Sequence, residues 1–459
     1  MDDYELVIVG GGLAGLCAAV EAGEQGAEVL LLEKEGKVGG SSVLSGRYMA
    51  FAGTAMQKEQ GMEDTAEMLV DDMLEVGGRA NDEKLVAAYG ELQLDTYNWL
   101  VEHGVEFLSI QAVSGHSVPR GHTIDSNQAI QAFYDHAVSM PNVTIAVDSP
   151  VIRLGRSARG HVEQVFYEQG GRRKTANAAK RIVLTSGGFS QSKELLGHFA
   201  PHLKRTIRIG GPGNKGEGIR MACEHGAWMK DIPYLSGTYG FHPTAEGPEK
   251  SQALAFYKGA IIINRRGKRF VNESLSYKLL GNAALREKEN STYQIWDQTV
   301  MDQSVPGDKL YDFERLLRKG LIKKAESLQK LAEQIDVSPD ALRRTVAEYN
   351  EGVQNGEDEF GRHTLTHHFG KPTPIRTAPF YAFETKVAML ATYAGLSVST
   401  KAEVLNPYDE PISGLYAAGE IAGGFHGAGY MTGSSLGKAA IFGRVAVKSA
   451  LGKFQQTIT

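Results

Sequence analysis

Only two of the 459 residues are cysteine, Cys17 and Cys223, and that scarcity closes off several chemistries. Two thiols build no disulfide framework and are too few to hold a cysteine-ligated iron–sulfur cluster. Without a Cys-x-x-Cys-His stretch there is no attachment point for covalent haem. Long hydrophobic runs are missing too: none approaches the roughly 20 residues that cross a bilayer. Positive charge is not in excess, with 49 Lys and Arg against 54 Asp and Glu and a formal net charge of -5. That balance offers no electrostatic footprint for nucleic acid or an anionic membrane. The opening Met1-Asp2-Asp3-Tyr4-Glu5 is acidic where a secretory signal is basic, so a cytoplasmic location is expected. There are no internal repeats or low-complexity segments. What is present, 42% hydrophobic and 22% charged residues, describes a globular chain long enough for two or three domains.

The N-terminal stretch carries the first positive signal. Leu6 to Val9 is a continuous apolar run, as expected of a strand buried on both faces of a parallel sheet. Gly10, Gly12 and Gly15 follow as G-x-G-x-x-G, with Ala14 between the last two. The first glycine permits a tight turn, the second admits a pyrophosphate to the backbone, and the third lets the helix pack on its strand. A helix over about Leu13 to Gln25 then aims its positive end at the phosphates. A second strand, Glu28 to Leu32, ends at Glu33, whose carboxylate suits a ribose hydroxyl. Strand, glycines, helix, strand and acid in register predict an α/β protein that binds a dinucleotide.

From Glu33 the chain continues Glu33-Lys34-Glu35-Gly36-Lys37-Val38-Gly39-Gly40-Ser41-Ser42. Gly39, Gly40, Ser41 and Ser42 offer amides and hydroxyls to a second set of phosphate or ribityl oxygens. This stretch resembles the E-K-x-x-x-x-G-G-x-[ST] of the flavoproteins of the fumarate reductase and 3-ketosteroid dehydrogenase superfamily. Three later segments match that superfamily in its order. Thr185-Ser186-Gly187-Gly188-Phe189 resembles A-T-G-G-F, which closes over the cofactor's adenine side. Asn214 to Met221 resembles the G-D-G-[IL] segment at a helix start. Gly414-Leu415-Tyr416-Ala417-Ala418-Gly419-Glu420 resembles G-L-[YF]-A-[AT]-G-E, which brings Glu420 to the ribityl chain. The resemblance implies FAD, because a nicotinamide dehydrogenase has no need of the second glycine-rich segment. It adds Lys34, Val151, Ser435 and Leu436 to the expected cofactor contacts. The helix after Leu436 would then direct its positive end at the flavin edge that becomes anionic on reduction. Serines follow Gly40 where succinate dehydrogenases carry the histidine that attaches FAD, so the FAD is expected to be non-covalent.

The implied architecture is a Rossmann-type FAD-binding domain over residues 1–237 and 391–459, interrupted by an α+β cap over 238–390. Strands are expected at Thr144 to Leu154, His161 to Glu168 and Arg181 to Leu184, with a turn at Gly170-Gly171. Amphipathic spacing predicts helices within residues 62–106. Ser338-Pro339, a capping serine before a first-turn proline, opens another helix in the cap. The segment His116 to His122 reads either as a surface loop or as an approach to the substrate side.

The substrate expectation rests on departures from the fumarate reductase pattern. In those enzymes an arginine shortly after R-F-[IV]-x-E donates the proton. Here the motif is Arg269-Phe270-Val271-Asn272-Glu273 and the aligned position is Tyr277. The arginine of H-G-A-N-R-L-G-G that clamps a carboxylate is replaced by Tyr430, and a carboxylate-binding histidine by Ala391. Losing bidentate carboxylate recognition argues against fumarate or succinate. The tyrosines resemble instead 3-ketosteroid dehydrogenases, closest to the Δ4-(5α) branch: N-E-x-x-x-Y at Asn272 to Tyr277, and Tyr430-Met431-Thr432-Gly433-Ser434-Ser435-Leu436-Gly437 for Y-x-S-G-x-S-L-G. Desaturation beside a ketone needs a donor to polarise the carbonyl and a base for the α-proton, with flavin N5 accepting hydride. Tyr277, Tyr430 and Thr432 are the expected catalytic hydroxyls. A 3-ketosteroid or smaller cyclohexanone-type substrate is therefore expected, with an external electron acceptor of unspecified kind. The competing readings are a flavin-dependent ene-reductase of an unsaturated, non-dicarboxylate acceptor and an FAD-bearing subunit that serves a partner. His242 reads equally as the histidine that the resemblance places near the substrate and as a hydrogen-bonded residue at a strand end; His426, Tyr48, Tyr239 and Tyr393 are weaker candidates, read mainly as packing, and no metal is expected.

Overall fold

The computed structural model describes residues 2–454 apart from 46, 246–250 and 367. The apolar run near the N-terminus forms β1 (Asp2–Val9), and the glycine fingerprint opens α1 (Leu13–Glu24), followed by β2 (Val29–Leu32). β1 is the central strand of five parallel ones, in the order Pro411–Ala417, Arg172–Leu184, β1, β2, Val143–Ala146. Leu6, Val7 and Ile8 are wholly buried, as a strand covered on both faces requires.

The strand Arg172–Leu184 is much longer than its apolar tail indicates. Its charged first half pairs in an antiparallel meander with Val162–Gln169, which in turn pairs with Val151–Arg156. From Ala176 onward it also pairs in parallel with β1, and its last three residues pair with Pro411–Ala417 as well. Thr144 to Leu154, expected as strand, is broken at 147–150, where Asp148 takes φ 48°. The amides of Asp148 and Ser149 donate to the carbonyls of Glu35 and Glu33, so this turn folds back on the end of β2. The predicted helices appear as Ala66–Val76 and Glu83–Glu102.

On the far side of the sheet-and-fingerprint unit, α1 packs against the C-terminal helix Ser434–Ala450. Arg444 on that helix donates to the buried Glu21 carboxylate of α1 at 2.8 Å. A second sheet collects around Phe380–Met389, which pairs antiparallel with Ser291–Trp296, Ile322–Ala325 and Thr238–Phe241. Ile261–Asn264 extends it beyond Ser291–Trp296, and the two-residue strand Ile207–Arg208 joins from an earlier part of the chain. Its helices include Tyr277–Ala284 and Pro339–Asn355, the latter capped by Ser338 as its Ser-Pro start predicts. This sheet has hydrophobic clusters of its own, separate from the large core under the parallel sheet. No helix among the described residues is long and apolar enough to cross a membrane.

Candidate active site

The fingerprint closes as its glycine spacing requires. Gly10 has φ +110°, and a Cβ on Gly15 would run into the Gly10 carbonyl. The turn therefore brings the start of α1 against the ends of β1 and Arg172–Leu184. There a cavity of about 1270 Å³ opens, above the roughly 300–1,000 Å³ usual for small-molecule pockets. Gly12, Ala14, Glu33, Lys34, Gly40, Ser41, Ser42, Val151, Ser186, Gly187, Gly419 and Glu420 all line it. Gly15, Gly39 and Gly188 stand behind this wall and shape it. Gly39, at φ +115°, donates its N–H to the Gly11 carbonyl at 2.8 Å. A Cβ on Gly188 would strike Thr392 Oγ1 and the Glu420 carboxylate.

The polar groups around this cavity are partly spoken for and partly open. Glu33 is buried and accepts the Gly11 N–H at 2.7 Å and the Glu35 N–H at 2.8 Å, which fixes its carboxylate at the end of β2. Lys34 pairs with Glu217 at 2.6 Å across the rim. Glu420 accepts from the Thr392 N–H at 2.9 Å and from the Asn214 amide at 3.0 Å. Ser186 Oγ and Asn214 Oδ1 are buried and have no partner among the described residues. Orphaned polar atoms lining a long cavity beside a helix N-terminus fit a dinucleotide rich in hydroxyls and phosphates.

A second cavity, of about 160 Å³, adjoins the first. Ser41, Ser42, Glu420 and Ala439 line both. The expected catalytic residues Tyr277, Tyr430 and Thr432 line the second, together with Tyr48, Tyr257, Tyr311 and Tyr393, Ala391, Ser435 and Leu436. No arginine lines it among the described residues; its cation is Lys438. A buried ion network lies just before Tyr277 in the chain. Arg269 donates to Glu273 and Asp358 at 2.7 Å each, and Glu273 also accepts the Ile262 N–H. The motif Arg269 to Glu273 is thus the anchor of the helix that starts at Tyr277, capped by Ser276.

Tyr430 stacks on Tyr393, with ring centroids 4.8 Å apart and planes 9° apart, and its centroid lies 5.9 Å from that of Tyr277. Its hydroxyl pairs with Ser435 Oγ at 3.0 Å and accepts the Gly433 N–H at 3.3 Å. Thr432 is held through its backbone: its carbonyl accepts from His116 Nε2 at 2.7 Å and its N–H donates to the Ser114 carbonyl. The Thr432 hydroxyl is buried and makes no well-formed hydrogen bond among the described residues, but it lies close enough to the Tyr277 phenol to oppose the rise in its pKa. Burial, reinforced by Tyr430, pushes Tyr277 well above the ordinary tyrosine value. A phenol so shifted holds its proton at neutral pH and is a hydrogen-bond donor.

His116, Arg120 and His122 are fully buried, so the segment is no surface loop. His116 props Thr432 from behind, and Arg120 is paired with Asp64 and Asp72. His242 lies away from both cavities, its Nδ1 2.8 Å from Thr244 Oγ1, and the buried Tyr239 bonds Thr292. Tyr48, Tyr393 and His426, read from the sequence as packing, do line the smaller cavity. Tyr257 and Tyr311 carried no motif and were not foreseen. Nor was a pair of buried lysines nearby. Burial pushes Lys278 down to about 7 and Lys438 down to about 8. Lys278 sits 4.7 Å over the Tyr393 ring, and Lys438 donates to the Ala422 carbonyl at 2.7 Å.

Known proteins can be set beside this geometry. A family model described as an FAD binding domain matches residues 5–436. A fumarate reductase (cytochrome) of Shewanella frigidimarina is 31% identical over 98% of this chain and 77% of its own. A vinyl phenol reductase of Lactiplantibacillus plantarum is 27% identical over 96% of this chain and 95% of its own. Among solved structures, a 3-ketosteroid-Δ4-(5α)-dehydrogenase of Rhodococcus jostii with 4-androstene-3,17-dione superposes with TM-score 0.80 and 26% identity. That match covers 98% of this chain and 97% of the other. With a family match over most of its length and a fumarate reductase relative at this identity, the chain belongs to the FAD-binding-domain family and is an FAD-dependent oxidoreductase of the fumarate reductase and 3-ketosteroid dehydrogenase superfamily.

Proposed function

We propose that the protein is an FAD-dependent dehydrogenase that introduces a C=C bond beside a ring ketone. Its relatives, which oxidise or reduce CH–CH bonds, support the reaction class, and the smaller cavity supports the substrate class. The observation that carries the reading is a tyrosine-lined cavity with no arginine among the described residues, where the Thr432 hydroxyl is buried without a well-formed hydrogen bond. An uncharged carbonyl oxygen completes such a donor set, whereas a dicarboxylate would bury a charge without a bidentate partner, at a cost of several kcal/mol.

In this reading Gly12, Ala14, Glu33, Ser41, Ser42, Ser186, Gly187 and Glu420 hold the FAD without a covalent bond, with Gly15, Gly39 and Gly188 supporting them. Bound FAD supplies the hydride acceptor. Tyr277 donates to the ketone oxygen, its raised pKa keeping the proton in place until charge develops there. Tyr430 takes the α-proton as its own proton passes to Ser435 Oγ, 3.0 Å away, and on to solvent, while Thr432 offers its hydroxyl to the substrate beside it. Tyr393 fixes the Tyr430 ring by stacking, and His116 fixes Thr432 through its carbonyl.

A second reading, an ene-reductase of a non-dicarboxylate acceptor, is favoured by the named reductases among the relatives. It uses the same hydroxyls with the proton moving the other way. One experiment separates the readings. The oxidised protein is mixed anaerobically with ring ketones, and the photoreduced protein with the matching enones, while the flavin band is followed. Bleaching by a saturated ketone supports the dehydrogenase, and recovery of colour only with enones supports the reductase. Fumarate and succinate are expected to leave both spectra unchanged. Rapid turnover of either dicarboxylate would overturn the pocket argument.

A further inference from the structure

Away from both cavities, three helices end at one place. Glu24 is the last residue of α1, His103 is the C-cap of Glu83–Glu102, and His136 lies in the last turn of Ser126–Ser139. A helix C-terminus carries partial negative charge, so three of them together favour a cation. The proton positions sharpen the point. His103 Nδ1 is 2.7 Å from the Trp99 carbonyl, which can only accept, so that nitrogen carries the hydrogen. In a neutral ring the lone pair is then on Nε2, and Nε2 faces Glu24 Oε1 at 2.7 Å. A lone pair against a carboxylate oxygen at this distance is repulsive unless a positive charge is shared between them.

His136 Nε2 approaches the same oxygen at 3.8 Å, and the two imidazole rings meet edge to face with centroids 4.9 Å apart. The other Glu24 oxygen accepts the Trp99 indole N–H at 3.3 Å. Trp99 therefore orients both Glu24 and His103, as outer groups orient histidine and carboxylate ligands around metals. The nearby guanidinium does not neutralise Glu24. Arg444, 4.5 Å over the Trp99 ring, is paired with Glu21 and Asp95.

We propose that Glu24, His103 and His136 form a binding site for one divalent transition-metal ion of the zinc type, with water completing the coordination. Two imidazole nitrogens and a carboxylate oxygen suit such an ion. The separations of 2.7 and 3.8 Å bracket the spacing of about 3.3 Å that tetrahedral bonds of about 2.0–2.1 Å produce. His103 is 8% exposed, whereas Glu24 and His136 are 35% and 41% exposed, so an ion enters from solvent and meets a nearly buried ligand last. Its role is a clip that ties the fingerprint helix to the two helices beside it. The other grouping of this kind among the described residues, Asp72, Glu75 and His368, has its Asp72 committed to Arg120 and Ser117.

The test uses the untagged, FAD-loaded protein, with Zn(II) titrated by calorimetry and Co(II) followed through its visible absorption. One equivalent per chain is expected. His136→Ala and Glu24→Gln should each weaken Zn(II) binding by at least about tenfold, since even outer-shell changes cost 10–100-fold. His198→Ala, at an exposed position near the end of the helix Lys193–Phe199, should change nothing, and flavin content should confirm folding throughout. Absence of stoichiometric binding, or binding undiminished in both variants, would overturn the proposal and leave a shared proton as the positive charge.

Discussion

The tyrosine hydroxyls of the smaller cavity are where single-atom changes are most informative. Tyr277→Phe and Tyr430→Phe each remove one oxygen from a donor or relay position, and loss of such a contribution typically costs about 10² to 10⁴ in rate. Flavin reduction by a confirmed substrate, followed by stopped flow, should slow by that factor with FAD content unchanged. Thr432→Val keeps the shape and deletes a hydroxyl that makes no well-formed hydrogen bond, so its effect reports chemistry more than packing. If the three act as a unit, the double variants will fall well short of the product of the singles. Parental rates in all three would reduce these residues to packing.

The buried lysines give a pH prediction. Lys278 binds its proton with a pKa lowered from 10.5 to about 7, so between those values the unfolded chain holds more protons than the folded one. Stability from this group is therefore complete above about 10.5 and is lost as pH falls toward 7. The melting temperature should climb from pH 7 to 9.5, and Lys278→Met should flatten the climb without changing the slope below pH 6. An equally steep rise in the variant would remove Lys278 as the cause. At this scale the sequence was informative only where a motif gave a residue its address. Tyr277 and Tyr430 stood at motif positions, whereas Tyr257, Tyr311 and Lys278 came to the site by tertiary packing and left no local signal.

Among the elements, α1 and the C-terminal helix depend on each other. Their contact includes the buried pair Glu21–Arg444, with side chains 8% and 7% exposed. Arg444→Met leaves the Glu21 carboxylate without its main partner, and breaking a buried pair from one side costs about 3–5 kcal/mol. The loss should lie near the lower end, because Lys448 remains 3.7 Å from Glu21. Urea titration measures it, and the double variant Glu21→Gln with Arg444→Met should recover most of the stability. No recovery would mean that Arg444 acts through the Trp99 ring instead. Element types followed from apolar runs, glycine spacing and capping residues, as β1, α1, β2 and the Ser338-capped helix illustrate. Lengths did not: Arg172–Leu184 begins in charged residues because a neighbouring strand, not a core, pairs with them.

For the whole molecule, the decisive question is how the cofactor is held. The cavity is lined by glycines, serines and carboxylates, so acid or heat denaturation should release one FAD per chain into the supernatant. Yellow colour retained by the precipitate would contradict non-covalent binding. Added FAD should also raise the melting temperature of stripped protein, as any ligand of the native state does. By itself the sequence determined the dinucleotide fold, because buried-strand runs, glycine spacing and a terminal acid are local properties that survive without knowing the neighbours. It also marked Tyr277, Tyr430 and Thr432, through motif position. Only the tertiary structure decided that His116, Arg120 and His122 are buried, with His116 against Thr432, that Tyr48 and Tyr393 line the cavity, and that Glu24, His103 and His136 meet. Those contacts join residues 24, 103, 136 and 432 across long stretches of chain, and closure of the fold, not any local pattern, brings them within a few ångströms.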